Sequence, residues 1–215
     1  MFPPMKSPLA IVGVLVLVVC ILLIGGCSSY NGLVTLKQGA DKSWADVQNV
    51  YQRRADLIPN LVKTVEGAAN FEKTTLNEVV KARQQVNNVQ LDPSTAPTDP
   101  AVLERFQQSQ QQLSSALSRL LVVVEQYPDL KANANFRDLQ AQLEGTENRI
   151  SVERGRFNAA VQGYNTAVER MPARLYAGMF GFHPRPYFAA KEGAGTPPDV
   201  NFNFSGATPA PAAPK

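Results

Sequence analysis

The chain has 215 residues, 21 of them basic and 18 acidic, with a formal net charge of +3. Setting aside an N-terminal segment leaves one domain of ordinary size, able to bury a core without metal or disulfide support. The charge is not clustered into a basic stripe, so no nucleic-acid interface is expected. Cys20 and Cys27 both precede the domain, which leaves it no disulfide and no thiolate metal site. His183 is the only histidine, which excludes a multi-histidine metal site. No cofactor is expected.

Residues 1–27 read as a membrane anchor. Lys6 is the only charge before Lys37, and the run from Leu9 to Gly26 is uncharged and almost wholly apolar. Its length is at the short limit of a transmembrane helix and also fits a long signal-peptide core. Ile24-Gly25-Gly26-Cys27 is similar to the lipobox of bacterial lipoproteins, which makes Cys27 the candidate lipidation site. The sequence leaves both open: an uncleaved helix in the inner membrane, or a lipoprotein of the inner or outer membrane. Either way the positive-inside rule puts Lys6 in the cytoplasm and the domain outside it.

Four helices follow from apolar spacing. The first spans about 30–69, with Leu33, Leu36, Ala40, Trp44, Val47, Tyr51, Ile58, Leu61 and Val65 on one stripe. Arg54 occupies the position missing between Tyr51 and Ile58, and Pro59 predicts a kink or restart. The second spans about 74–89, opened by a Thr75/Glu78 capping box. Three prolines between Leu91 and Pro100 make a loop. The third spans about 100–126, with Asp99 as N-cap and Pro100 in the first helical position. Leu103, Phe106, Gln110, Leu113, Leu117, Leu120 and Val124 form a heptad seam with one polar member. The fourth spans about 135–171, and Pro172 stops it. Its seam includes Leu143, Ile150, Phe157 and Tyr164, and Glu153 interrupts it. The expected fold is all-α: an antiparallel bundle of long helices over residues 28–190 behind the anchor. Residues 191–215, rich in Pro, Ala and Gly, read as a disordered tail.

Several polar groups are candidate sites. Arg53, Asp56, Asn60 and Lys63 share one helix face beside Pro59 and are a candidate interaction face. The structural alternative pairs Arg53 with Asp56 and uses Asn60 and Arg54 to satisfy the backbone that Pro59 loosens. Glu144, Glu147 and Asn148 lie close together, but no Glu-x-x-His motif accompanies them, so they read as a solvated face rather than a metal or hydrolytic site. Gln110 and Glu153 are expected to fix helix register, or else to line a polar pocket. In the glycine-rich stretch 175–182, Met179, Phe180 and Phe182 are candidates for membrane or partner contact, or for packing over the bundle.

Tyr30-Asn31-Gly32-Leu33-Val34, Ser43-Trp44-Ala45-Asp46-Val47 and the long run Arg53-Arg54-Ala55-Asp56-Leu57-Ile58-Pro59-Asn60-Leu61-Val62 form a distinctive series. Phe71 to Leu76, Ala82-Arg83, Phe157 to Val161, Tyr164-Asn165-Thr166, Gly178 to Phe182 and Tyr187-Phe188 continue it. Together they resemble the LemA family of bacterial membrane proteins over roughly residues 30–190. The resemblance implies an extracytoplasmic helical bundle on an N-terminal anchor and no known reaction. The expected function is a non-enzymatic scaffold or regulator that binds an envelope protein. Membrane shaping and, less favoured, an envelope hydrolase using Glu144 and Glu147 are the alternatives. Oligomeric state is not readable, because a seam is satisfied equally within one chain or between chains.

Overall fold

The structure is a computed structural model that describes residues 8–67, 71–89 and 91–189. Within its N-terminal 27 residues, side chains are described only at 12–17 and 26. The expected lipidation at Cys27 and the expected disordered tail 191–215 therefore lie outside the described residues.

The chain is all-helical among the described residues. Helix α1 spans Pro8–Glu66, α2 Lys73–Asn88, α3 Pro100–Val124, α4 Pro128–Ala132 and α5 Ala134–Glu169. Two 3₁₀ turns, Ala173–Leu175 and Gly178–Phe180, follow. The long helices alternate in direction, up-down-up-down, so α1 and α3 run parallel to each other and antiparallel to α2 and α5. Three buried clusters mark this register from one end to the other. Leu33 of α1 packs with Tyr164 and Val168 of α5. Trp44 and Val47 pack with Phe106, Ile150 and Phe157. Ile58 and Leu61 pack with Val79, Leu120 and Phe136. We call the Leu33 end proximal and the Ile58 end distal.

Every member of the α3 seam is buried, Gln110 included. The Asp99 side chain accepts from the Ala101 N–H at 2.8 Å, and Pro100 opens the helix as its residue types dictate. An additional short helix, α4, comes between α3 and α5. The α5 N-cap is Asn133, whose side chain accepts from the Asn135 and Phe136 N–H groups.

Two local expectations are corrected. The Thr75/Glu78 capping box does not form: Glu72 is the N-cap residue of α2 and makes no side-chain cap bond, while Thr75 is buried. Nor does the helix restart at Pro59: α1 continues through it to Glu66. Proline lacks the N–H that would bond the carbonyl four residues earlier. That carbonyl, Ala55 O, instead accepts from Arg83 Nε on α2 at 3.2 Å. An interhelical donor therefore stands in for the missing intrahelical one, and neither Arg54 nor Asn60 does so.

Helix α1 carries the apolar run 9–26 at its N-terminal end. Among the described residues no helix is long and apolar enough to cross a membrane, so the expected anchor is not met there.

The Arg83 bond yields a test. Arg83→Ala is expected to destabilise the bundle by about 1 kcal/mol, and by less in a Pro59→Ala background, where residue 59 regains its own N–H. Urea denaturation of the four proteins in the double-mutant cycle measures the difference.

Candidate functional site

Helix α2 is 16 residues long and α5 is 36, so α2 leaves the proximal half of the bundle uncovered. Two irregular segments cover it. The loop at 91–99 lays Ala96 against the core; Asp92 O accepts from Trp44 Nε1 at 3.0 Å, and the Ala96 N–H donates to Asp41 Oδ1 at 2.9 Å. The segment 182–189 returns along α5 as a strap. Asn165 and Asn158 each hold one of its residues by a two-way bond. Asn165 accepts from the Arg185 N–H and donates to its carbonyl, at 2.8 and 2.9 Å. Asn158 does the same with Phe188, at 2.9 and 3.1 Å. Phe188 packs against both Trp44 and Phe157, which also contact each other.

Asp41 ties the two segments together. Its Oδ1 accepts from buried Arg185 Nη1 at 2.6 Å as well as from Ala96. The Arg185 guanidinium also lies over the Tyr164 ring at 5.3 Å. Burial raises the Tyr164 phenol above its ordinary value, with Arg185 pulling in the opposite direction. A charge pair this enclosed must have its remaining donors met, because unmet buried polar groups are costly.

Below the strap, α1, α3 and α5 enclose a cleft of about 430 Å³. Its floor is Arg54, buried at the position that interrupts the α1 stripe. The guanidinium donates to Glu147 Oε2 at 2.8 Å, to Ser114 Oγ at 3.0 Å and to the side-chain carbonyl of Gln110. It also lies 5.3 Å from the Tyr51 ring centroid, while its Nε is buried with no partner among the described residues. Burial raises the Tyr51 phenol, opposed by the nearby Arg154 and Arg54 charges. Arg154 closes the cleft's rim, donating to Ala189 O at 2.8 Å and lying over the Phe188 ring.

The expected sites are redistributed. Gln110 lines the polar cleft and accepts from Arg54. Glu153 is part-buried and paired with Arg156 at 2.7 Å. Glu147 is not part of a merely solvated face, since it neutralises Arg54; Glu144 is exposed and accepts from Gln140. Arg53, Asp56, Asn60 and Lys63 are all exposed and share a face, and Asp56 accepts from Gln52 rather than pairing with Arg53. Phe182 is buried while Met179 and Phe180 are exposed, so the stretch 175–182 divides between packing and exposure. His183 is exposed.

Arg54 and Gln110 were individually visible as polar interruptions of two apolar seams; their pairing was the missed inference. Asp41 and Arg185 are 144 positions apart and carried no such signal. Chemically, the cleft can neutralise and orient a polar or anionic group. An arginine is not a proton acceptor near neutral pH, and Ser114 Oγ and Glu147 Oε2 both accept from Arg54 Nη1. No group of three His, Cys, Asp or Glu side chains comes together among the described residues.

Fold and cleft together define an up-and-down helical-bundle protein organised around a buried arginine network. The chain belongs to the LemA family, whose model matches residues 43–202. It is 27% identical over 186 residues to magnetosome protein MamQ of Magnetospirillum gryphiswaldense, covering 78% of this chain and 67% of that protein. Against magnetosome protein MamQ 2 of Paramagnetospirillum magneticum it is 26% identical with the same coverage. It is also 27% identical over 130 residues to protein LemA of Metamycoplasma hominis, covering 60% of this chain and 52% of the relative. None of these three names denotes an enzyme.

Arg54→Leu strands the Gln110 side chain and removes the partner of Glu147, and is expected to cost about 3 kcal/mol. Glu144→Gln, on the exposed face, is expected to change stability by less than about 0.5 kcal/mol. Thermal or urea unfolding of both variants compares them directly. Separately, Asp41→Ala is expected to raise amide exchange in both 91–99 and 182–189, whereas Asn165→Ala raises it only in the strap. Peptide-resolved hydrogen exchange distinguishes the two patterns.

Proposed function

We propose that this chain is a membrane-anchored, non-enzymatic bundle of the bacterial envelope, which holds or regulates a protein partner outside the cytoplasm. The observation that carries the reading is the continuity of α1. The helix whose residues 33–65 form one wall of the core extends without a break through the apolar run 9–26. Val12 and Val14 to Leu17 cover more than a full turn and are all exposed, with no face among the described residues packed against them. Water is a poor solvent for such a surface, and hydrocarbon a good one. Lys6 before the run supports the orientation with the bundle outside. The family relationship and the names of the relatives are consistent with a non-enzymatic role.

Arg53, Asp56, Asn60 and Lys63 are the proposed partner surface, since all four are exposed and Arg53 and Lys63 make no ion pair among the described residues. The cleft is assigned a structural role first, because its charged groups largely satisfy one another.

The full chain is expected to resist alkaline carbonate extraction from membranes, and a chain lacking residues 1–27 to appear in the soluble fraction. Extraction of the full chain by carbonate would refute the anchor. Palmitate labelling of wild type and Cys27→Ala then separates the two anchors: label lost in the variant marks a lipoprotein, and no label in either marks an uncleaved helix. On the same membranes, cross-linked partners are expected to fall away when the four face residues are changed to Ala; partners retained unchanged would move the binding surface elsewhere.

A further inference from the structure

The end of the bundle nearest the apolar run has an unusual surface. Met171, Leu175, Met179 and Phe180 are 68%, 70%, 85% and 59% exposed. They come from the turn after α5 and from the two 3₁₀ turns, a stretch of ten residues. Their exposure is not a failure of this segment to fold. Ala173, Ala177 and Phe182, interleaved with them, are buried against Leu33, Tyr164 and Val168. Gly181 has φ of +74°, a backbone conformation that L side chains rarely adopt, and it lets Phe182 turn inward directly after Phe180 has pointed out. The segment is thus pinned on its inner side and apolar on its outer side. Arg170 and Arg174, both exposed, alternate with Met171 and Leu175, against a single neighbouring acid, Glu169.

Position identifies what covers this surface. The rings of Phe180 and Phe182 contact Tyr30 edge-on, with centroids 5.4 and 5.5 Å away. Tyr30 is on α1, four residues beyond Gly26. At about 1.5 Å per residue it stands about 6 Å beyond the end of the apolar run. The polar layer on each side of a bilayer's hydrocarbon core is about 5–8 Å thick. A helix buried to Gly26 therefore places Tyr30, and with it Phe180, at headgroup depth. If Cys27 is acylated instead, Tyr30 is only three residues from the lipid and the depth is nearly the same. Exposed aromatic and apolar side chains flanked by arginines are the residue types that favour this layer.

We propose that Met171, Leu175, Met179 and Phe180 form a collar seated in the membrane interface around the exit point of α1, with Arg170 and Arg174 against anionic headgroups. The collar makes the bundle a body that rests on the bilayer by two contacts, its anchor helix and its proximal face. This inference rests on the anchored reading above and adds the seat to it.

The test uses the full chain in vesicles of phosphatidylcholine and phosphatidylglycerol whose acyl chains are brominated near the headgroup. The wild-type chain has one tryptophan, Trp44, which is buried in the middle cluster and supplies the background. Phe180→Trp and, separately, Met179→Trp place a second indole on the collar at exposed positions. Both variants are expected to float with the vesicles and to lose emission to bromine beyond the loss of wild type. Flotation without that extra loss overturns the collar while leaving the anchor intact. If the introduced indole is also shielded from aqueous iodide, a protein, either a second copy or another chain, covers the face instead. Failure of the full chain to float overturns the anchor, and the collar with it.

Discussion

The 2.6 Å contact between Asp41 and Arg185 joins parts of the chain that have no local reason to meet. Helix α2 is too short to cover the proximal half of α1, so Trp44 and its aromatic neighbours need another roof. The loop at 91–99 and the strap at 182–189 provide it, and neither has helical hydrogen bonds of its own. Their backbone groups must be met by side chains. Asp41 meets one from the loop and anchors the strap's arginine, while Asn158 and Asn165 meet four more. Removal of the carboxylate leaves Arg185 buried without its counter-charge. The strap that brings Phe188 to the aromatic cluster and the loop that lays Ala96 on it are both held by this one site.

Much of this architecture was legible in the sequence. The α3 seam from Leu103 to Val124 was legible because strict three-four spacing has one reading, and the Asp99-Pro100 start because its residue types have a positional meaning. What escaped was nonlocal. Pro59 was read as a kink or a restart because a helix alone has no substitute for the lost N–H; the helix does not restart, and Arg83 on another helix meets the freed carbonyl. The capping-box spacing of Thr75 and Glu78 matched a local motif, but core burial took Thr75. Arg54 and Gln110 were each noticed as anomalies in separate stripes. A buried polar residue needs a partner, so two polar interruptions in neighbouring helices are best read as a pair. Asp41 and Arg185 offered no such clue, since Asp41 resembles any other charge on an amphipathic helix.

The candidate sites divide by solvent exposure. The network around Arg54 is turned inward and largely self-satisfied, which suits a part that specifies how three helices meet. The outward-facing groups lie elsewhere: a polar face toward the distal end of α1, and an apolar surface at the proximal end. The buried charges and the distinctive exposed surfaces are thus separated along the bundle, with the two surfaces at opposite ends.

The unbroken course of α1 has a mechanical consequence. From Tyr30 to Glu66 the helix rises by about 54 Å, and at its one internal proline Arg83 meets the freed carbonyl. A stiff rod of that length is a lever. An inclination of about 10° at its base displaces the far tip sideways by about 9 Å, roughly the spacing of two packed helices. Lateral forces at the base and loads at the tip are thus exchanged through a single covalent strut, with the other helices as its bracing.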